Sequence, residues 1–442
     1  VTDLTAALKL NPTLDWALVE RGTAHRQAGR FDKAVTDFTA AHKLDPKYPW
    51  ALTSRGEAHR EADRFDEAVT DFTAALNLDP EDPWALASRG QAHRQADRFD
   101  EAVTDLTAAL KLNPTLDWAL VERGTAHRQA GRFDEAVTDF TAALNLDPKY
   151  ARALAQRGEA HREADRFDEA VTDLTAALKL KPEDPWALAR RGEAHREAGR
   201  FDEAVTDLTA ALKLKPEDPW ALASRGEAHR QADRFDEAVT DLTAALKLDP
   251  GDPWALASRG EAHRQAGRFD EAVTDLTAAL KFDPEYAWAL AQRGEAHREA
   301  GRFDEAVTDF TAALKLNPEY PWALASRGQA HRDAGRFDKA VTDITAALKL
   351  NPTLDWALAQ RGEAHRQAGR FDEAVTDFTA ALNLDPEYAW ALASRGQAHR
   401  QAGRFEEAVA DITAALKLNP TLDWALAERK QAHLQAARLE QH

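Results

Sequence analysis

The sequence predicts an all-α fold, an α-solenoid of stacked antiparallel helix pairs, and three observations carry that prediction. A 34-residue segment, RFDEAVTDLTAALKLDPGDPWALASRGEAHRQAG in the copy from Arg234 to Gly267, recurs in register along the 442-residue chain. Apolar residues inside each copy fall at spacings of three and four, the helical period. No linker or low-complexity stretch interrupts the series. A fixed period of this length marks a unit that cannot bury its apolar face alone and does so against its neighbours.

The units divide the chain (1–442, one continuous domain) cleanly. Residues 1–14 are the second half of a unit, twelve complete units run over 15–422, and residues 423–442 form the first half of a thirteenth. Each unit holds two helices; in one copy the first is expected from Trp50 to Glu61 and the second from Asp66 to Leu78. Leu52, Gly56, His59 and Ala62 share one face of the first helix. Phe65, Val69, Phe72, Ala75 and Leu76 share one face of the second. Gly or Asp stands between the helices, as at Gly29, Asp63 and Gly131, where a tight reversal needs a permissive residue. Asp66 is expected to accept hydrogen bonds from the first free N–H groups of the second helix, and Pro80 to stop that helix. In the last half-unit Lys430 replaces the Gly, Leu434 a recurrent Arg and Ala437 the turn residue, as in a terminal helix with no successor to pack. The opening half-unit has no such changes and the chain lacks an initial Met, so it reads as a piece of a longer protein.

Composition narrows the function classes. Lys and Arg total 57 against 75 Asp and Glu, a net charge of −18, which favours solubility and disfavours nucleic acid as a partner. Absence of Cys removes disulfides, thiol nucleophiles and thiolate metal sites. Apolar runs are too short for a membrane span or a signal-peptide core, so no membrane partner is expected and the cytoplasm is the expected location. Ser occurs in one helical column without a paired base, and no phosphate-binding, dinucleotide or zinc-protease motif is present. No enzymatic activity, cofactor or metal is therefore expected.

The pattern closely resembles the tetratricopeptide repeat. Gly56 early in the unit, Ala68 opening the second helix, Phe72 within it, Ala75 near its end and Pro80 closing the unit carry the likeness, which covers essentially the whole chain. The chain departs from the family pattern in three columns. Arg55 stands where a large apolar residue usually precedes the Gly, His59 where an aromatic usually follows it, and Trp lies two residues before the usual aromatic. The resemblance implies a right-handed superhelix whose first helices line a concave groove. It assigns to that groove, in one unit, Trp84, Ala87, Gln91, Arg94 and Gln95.

Superposable units turn residues into columns. Twelve Trp occupy one column, among them Trp50, Trp84, Trp118, Trp186, Trp220, Trp254 and Trp288, and only Arg152 breaks it. Each indole either covers the Pro and helix end of the neighbouring unit or serves as an anchor for a peptide. The Arg column, including Arg60, Arg94, Arg128, Arg162, Arg196 and Arg230, mostly has Glu or Gln three residues before it, as at Glu57, Gln91 and Glu193, with Thr125 before Arg128. These read as a ladder of partly exposed ion pairs, with capture of acidic side chains as the alternative. Thirteen His share a column, but at ~10 Å between adjacent units they stand too far apart to ligate one metal, so a buried or half-buried neutral His with one hydrogen bond is expected. Asp66, Glu67 and Asp71 are expected on a solvated convex face.

Residues 1–38 recur at 103–140 with a single difference, Lys33 against Glu135, the mark of a block duplication. The groove columns otherwise vary little, which suits a repetitive ligand, avidity along a track, or a scaffold valued for its length. The expected function is a non-enzymatic protein–protein interaction or scaffold module that holds an extended peptide or partner helix. Near-identical arrays of this kind resemble parts of larger bacterial signalling or defence proteins. The alternative is a structural superhelix that self-associates end to end, since the two terminal half-units are the halves of one unit.

Overall fold

The computed structural model describes residues 1–439, and among them every regular element is an α-helix, 26 in sequence. The chain forms two compact units, Val1–Glu217 and Asp218–His442, built on the same rule. The first pairs helices from Asp15–Gln27 with Phe31–Leu44 through Pro185–Glu197 with Phe201–Leu214. The second runs from Pro219–Gln231 with Phe235–Leu248 to Phe405–Leu418 and a closing helix, Asp423–Leu439. Each unit is thus an all-α solenoid.

Local chemistry sets the helix limits. Residues rich in Ala, Leu, Glu and Arg favour helix on both sides of each turn. At the turn the chain leaves the first helix through a Schellman motif. Arg64 N–H returns to the His59 carbonyl at 2.9 Å and Asp63 N–H to that of Arg60 at 3.1 Å. That geometry places Asp63 at φ 57° and the equivalent Gly131 at φ 73°, where Gly and Asp are tolerated. Asp66 does not cap the second helix as expected. The cap position is Arg64 without a side-chain bond, and Asp66, inside the first turn, instead accepts from Arg98 of the next repeat at 2.8 Å. The turn brings the second helix one position closer than the sequence pattern suggests, so the carboxylate points outward past the free N–H groups. In the last repeat Ala437 cannot form the αL turn cheaply, and the helix begun at Asp423 continues to Leu439.

The core is thin and close. Ala68, Phe72, Ala102 and Leu106 are fully buried. A Cβ added to Gly90 would sit 2.7 Å from Leu106 Cγ, so only Gly lets the two helices of that repeat meet at this distance. The Arg that replaces the family's apolar residue ties three helices together. Arg55 Nε and Nη2 grip Asp71 of its own second helix at 2.9 and 2.5 Å, and Nη1 donates to Thr39 of the preceding second helix at 3.1 Å. The pattern recurs, for example, as Arg123–Asp139–Thr107 and Arg361–Asp377–Thr345. Asp71 is therefore not on the solvated face. It is 4% exposed because a bidentate guanidinium compensates its desolvation.

Within each unit the first helices of neighbouring repeats touch one another, whereas the second helices of neighbouring repeats do not. The first helices consequently lie on the inner, concave side of each stack and the second helices on the outer side.

Candidate ligand-binding groove

The Trp column occupies the first turn of the first helices. In the repeat containing Trp84, Pro83 starts the helix with a fixed φ and Asp82 caps it, its carboxylate accepting from Trp84 N–H at 2.9 Å. The indole is thus held at the mouth of the groove, and Trp84 is 56% exposed. Trp50, Trp186, Trp220 and Trp254 are also exposed, while Trp118 and Trp288 are half-buried. Neither sequence alternative describes them fully. Trp84 and Trp118 stack at 5.6 Å, and Tyr286, Tyr320 and Tyr388 lie against Trp288, Trp322 and Trp390 at 5.7 to 6.0 Å.

The Arg column lies in the last turn of the same helices, ten residues and ~15 Å from the Trp column, so the two do not meet. Its members bridge repeats. Arg60 holds Glu57 at 2.7 Å and reaches Gln95 of the next repeat at 3.3 Å. Arg94 grips Glu122 and Gln129, Arg128 grips Glu163, Arg162 spans Glu159 and Glu197, and Arg230 spans Glu227, Glu261 and Gln265. Arg196 pairs with Glu193 at 2.8 Å. The ladder of ion pairs is present, but its carboxylates at Glu122, Glu159, Glu193, Glu227 and Glu261 are buried rather than partly exposed, so removing one partner costs more than at a surface pair. Charges on it are not evenly balanced. Burial and the neighbouring Glu227 push the Glu261 carboxyl up against Arg230 and Arg264, and Tyr286 is pushed up to about 12 by burial and by Asp252, Asp283 and Glu261.

Most of the His column is half-buried, with His25 and His331 buried and His433 exposed. Burial lowers His59 below its ordinary value, Asp71 opposes this at 3.6 Å, and Arg64 and Arg55 reinforce it. The single hydrogen bond expected of these His exists at His195 and His399, whose Nδ1 accepts from Arg200 and Arg404 at 3.1 and 2.8 Å. At His59, His93 and His127 the buried Nδ1 has no hydrogen-bond partner. Among the described residues no group of three or more His, Asp or Glu is placed to hold a metal ion.

Ala87, assigned to the groove, is fully buried, and the column one residue later is only partly open, half-buried at Ser88 and buried at Glu122, Ser224, Ser258, Gln292, Ser326 and Ser394. That column, at Ser88 in the same repeat, holds Glu20, Ser54, Glu122, Gln156, Arg190 and Gln292 elsewhere. It lies between the aromatic and ion-pair tracks and is the most varied column of the first helices. Sequence reasoning missed it, although its own variation against a uniform background was the available signal. It carries the local chemistry: Arg190 lies over Trp186 at 5.6 Å, and Arg152 donates to Glu122 at 2.9 Å.

Comparison with known proteins follows the same lines. A family model described as tetratricopeptide repeat matches residues 19–83, 121–185, 189–253, 224–287, 257–321, 291–355 and 359–423, and a second tetratricopeptide repeat model matches 83–116. No curated protein sequence matches the chain. Among solved structures, the APC/C hetero-tetramer Cut9–Hcn1 is similar at a TM-score of 0.52 and 14% identity, over 98% of this chain and 99% of that one. Yeast Tom70 is similar at a TM-score of 0.46 and 20% identity, over 96% of each chain. A tetratricopeptide repeat protein from Parabacteroides merdae is similar at a TM-score of 0.47 and 19% identity, over 56% of this chain and 98% of its own. At these identities the likeness concerns the fold alone.

Proposed function

The chain belongs to the tetratricopeptide repeat family, and on that premise we propose that it is a non-enzymatic interaction module whose concave groove holds an extended peptide. The observation that carries this is the exposure of Trp84, inside the array, on its first helix. Indoles needed only for cohesion between repeats bury most of their area, whereas anchors for a ligand stay open until it arrives. The reading places aromatic contacts at Trp50, Trp84 and Trp118 and polar contacts at Arg60, Arg94 and Arg128. The ion-pair track supplies register more than affinity, since its members are already paired. A setting inside a larger bacterial signalling or defence protein in the cytoplasm belongs to the same proposal and rests on the likeness of near-identical arrays.

Selection of a random peptide library on the immobilised chain tests the groove. The expected result is a set of enriched peptides that quench Trp emission and lose binding on Trp84→Ala. Failure to enrich any peptide, or enrichment indifferent to the Trp substitutions, would overturn the reading. Sedimentation over a hundredfold concentration range accompanies it, because mass growing with concentration would show that the groove or the stack ends meet another copy of the chain.

A further inference from the structure

The first helices Pro185–Glu197 and Ala287–Glu299 differ at two positions, Pro185 against Ala287 and Arg190 against Gln292. In the former the chain supplies its own guanidinium to the groove. Arg190 lies over the Trp186 ring at 5.6 Å and stands 3.6 Å from Glu159 of the preceding first helix. Glu159 also accepts from Arg162 at 2.9 Å. Burial pushes the Glu159 carboxyl up, but Arg162, Arg190 and Arg128 overcome it and hold the group below its ordinary value.

Three repeats later Glu261 stands in the place of Glu159, and the balance is reversed. Gln292 replaces Arg190, and Glu227 occupies the position that Thr125 holds in the earlier copy. Arg230 is 3.2 Å from the Glu261 carboxylate, Gln265 donates to it at 3.3 Å and Arg264 is 3.9 Å away. Glu122, Glu159, Glu193, Glu227 and Glu295 each have a guanidinium at 2.5 to 2.9 Å. Glu261 is therefore the loosely held member of this series. Gln292 is 7% exposed, and its side-chain carbonyl has no hydrogen-bond partner. A buried acceptor left unpaired is costly, so this oxygen is open to a donor. Aromatic rings complete the surroundings. Tyr286 meets Trp288 at 5.7 Å and Tyr320 meets Trp322 at 5.9 Å. Burial pushes both Tyr hydroxyls up and Glu261 adds to the rise at each, which places both phenols in the field of that carboxylate. All of these residues belong to the second compact unit, far from either end of the chain.

We propose that this part of the groove receives the guanidinium of an arginine on the bound peptide, in the place that Arg190 fills three repeats earlier. The fork donates to Glu261 and to the Gln292 carbonyl while its face lies on Trp288, as Arg190 lies on Trp186. An ammonium has neither the planar face for the ring nor the fork for two acceptors. The proposal rests on the groove reading only for the peptide that carries the arginine.

Titration of the whole chain with N-acetyl-arginine amide, followed by Trp emission and by NMR of the ligand, tests the site directly. The expected result is saturable binding, with the neutral isostere N-acetyl-citrulline amide not binding. Gln292→Arg should abolish it by giving the chain its own guanidinium, as at Arg190. Glu261→Gln should weaken the arginine probe roughly tenfold, the loss of one charge-assisted hydrogen bond. Gln stands in that column at Gln91, Gln329 and Gln397, so the fold accepts the second variant and it carries the test if Gln292→Arg does not fold. Equal binding of the citrulline probe, binding that survives Gln292→Arg, or unchanged affinity in Glu261→Gln would overturn the proposal. Peptides that bind the groove with no dependence on arginine would overturn the site and leave the groove reading standing. A saturable arginine probe with no peptide ever enriched would do the reverse.

Discussion

Glu20 and Glu122 stand at the same position in two copies of one sequence block, yet Glu20 is exposed and Glu122 is buried beneath Arg94 and Arg152. Their own helices are alike: both follow an Asp-Trp pair, and both precede an Arg that grips a buried Asp, Asp37 in one copy and Asp139 in the other. The difference arrives from the neighbouring repeats. In a stacked array each groove position is completed by side chains 28 to 30 residues away, as Arg94 and Arg152 complete Glu122. One Trp-to-Arg change in the next repeat therefore supplies one of the two guanidinium groups at a site whose own helix is unchanged. Near-uniform columns can hide distinct sites for this reason.

The comparison can be broken at several depths. The largest effect is expected at the scaffold both copies share. Asp139→Ala strands Arg123 and Thr107 at a buried interface and should destabilise the array by about 3–5 kcal/mol, seen as an earlier urea midpoint. A loss below about 1 kcal/mol would mean that the guanidinium finds water instead and that the buried pair does not organise the stack.

Acid should weaken both copies together. Burial lowers twelve His below their ordinary value of 6.5, including His25 and His127, with Asp37 and Asp139 opposing. The folded chain then binds fewer protons than the unfolded chain just below 6.5. Stability is complete above that value and declines as the pH falls through the lower folded values. Urea midpoints at pH 7.5 and pH 5 check this, and equal midpoints would show that the His column is solvated.

A third test separates the copies. Glu122→Gln removes the charge that two guanidinium groups share and should cost about 2 kcal/mol, while Glu20→Gln should change stability by less than about 0.5 kcal/mol. Equal costs would mean that the two sites are the same. The smallest effect is expected at the one residue that distinguishes the blocks. Lys33 helps lower His25, whereas Glu135 works in the opposite direction on His127. Lys33→Glu should therefore raise the His25 pKa, read from its imidazole resonances by NMR, and a fall would show that the charge at 33 does not reach the ring.

Much of the fold was legible before any coordinates. The period set the unit, the three-and-four spacing placed Trp50–Glu61 as a helix, and Asp63 and Gly131 marked the turns. The candidate groove was less legible. Asp71 looked like one more carboxylate of a charged face because its partner, Arg55, lies sixteen residues away across a turn. Ala87 was assigned to the surface and Ser88 passed over, since one residue on a helix is a rotation of ~100° and the register of the concave face follows from how repeats lean on each other.

Sequence alone determined what depends on short-range order. Helix propensity, an αL-tolerant Gly or Asp at the turn, the Gly that admits Leu106 and the repeat period all act within 34 residues and recur in every complete copy. Tertiary structure alone decided which carboxylates are buried, which indoles stay open, and that Glu122 meets guanidinium groups from two neighbouring repeats. Those outcomes depend on desolvation and on donors from adjacent repeats, and both are properties of the packed interface rather than of any one segment.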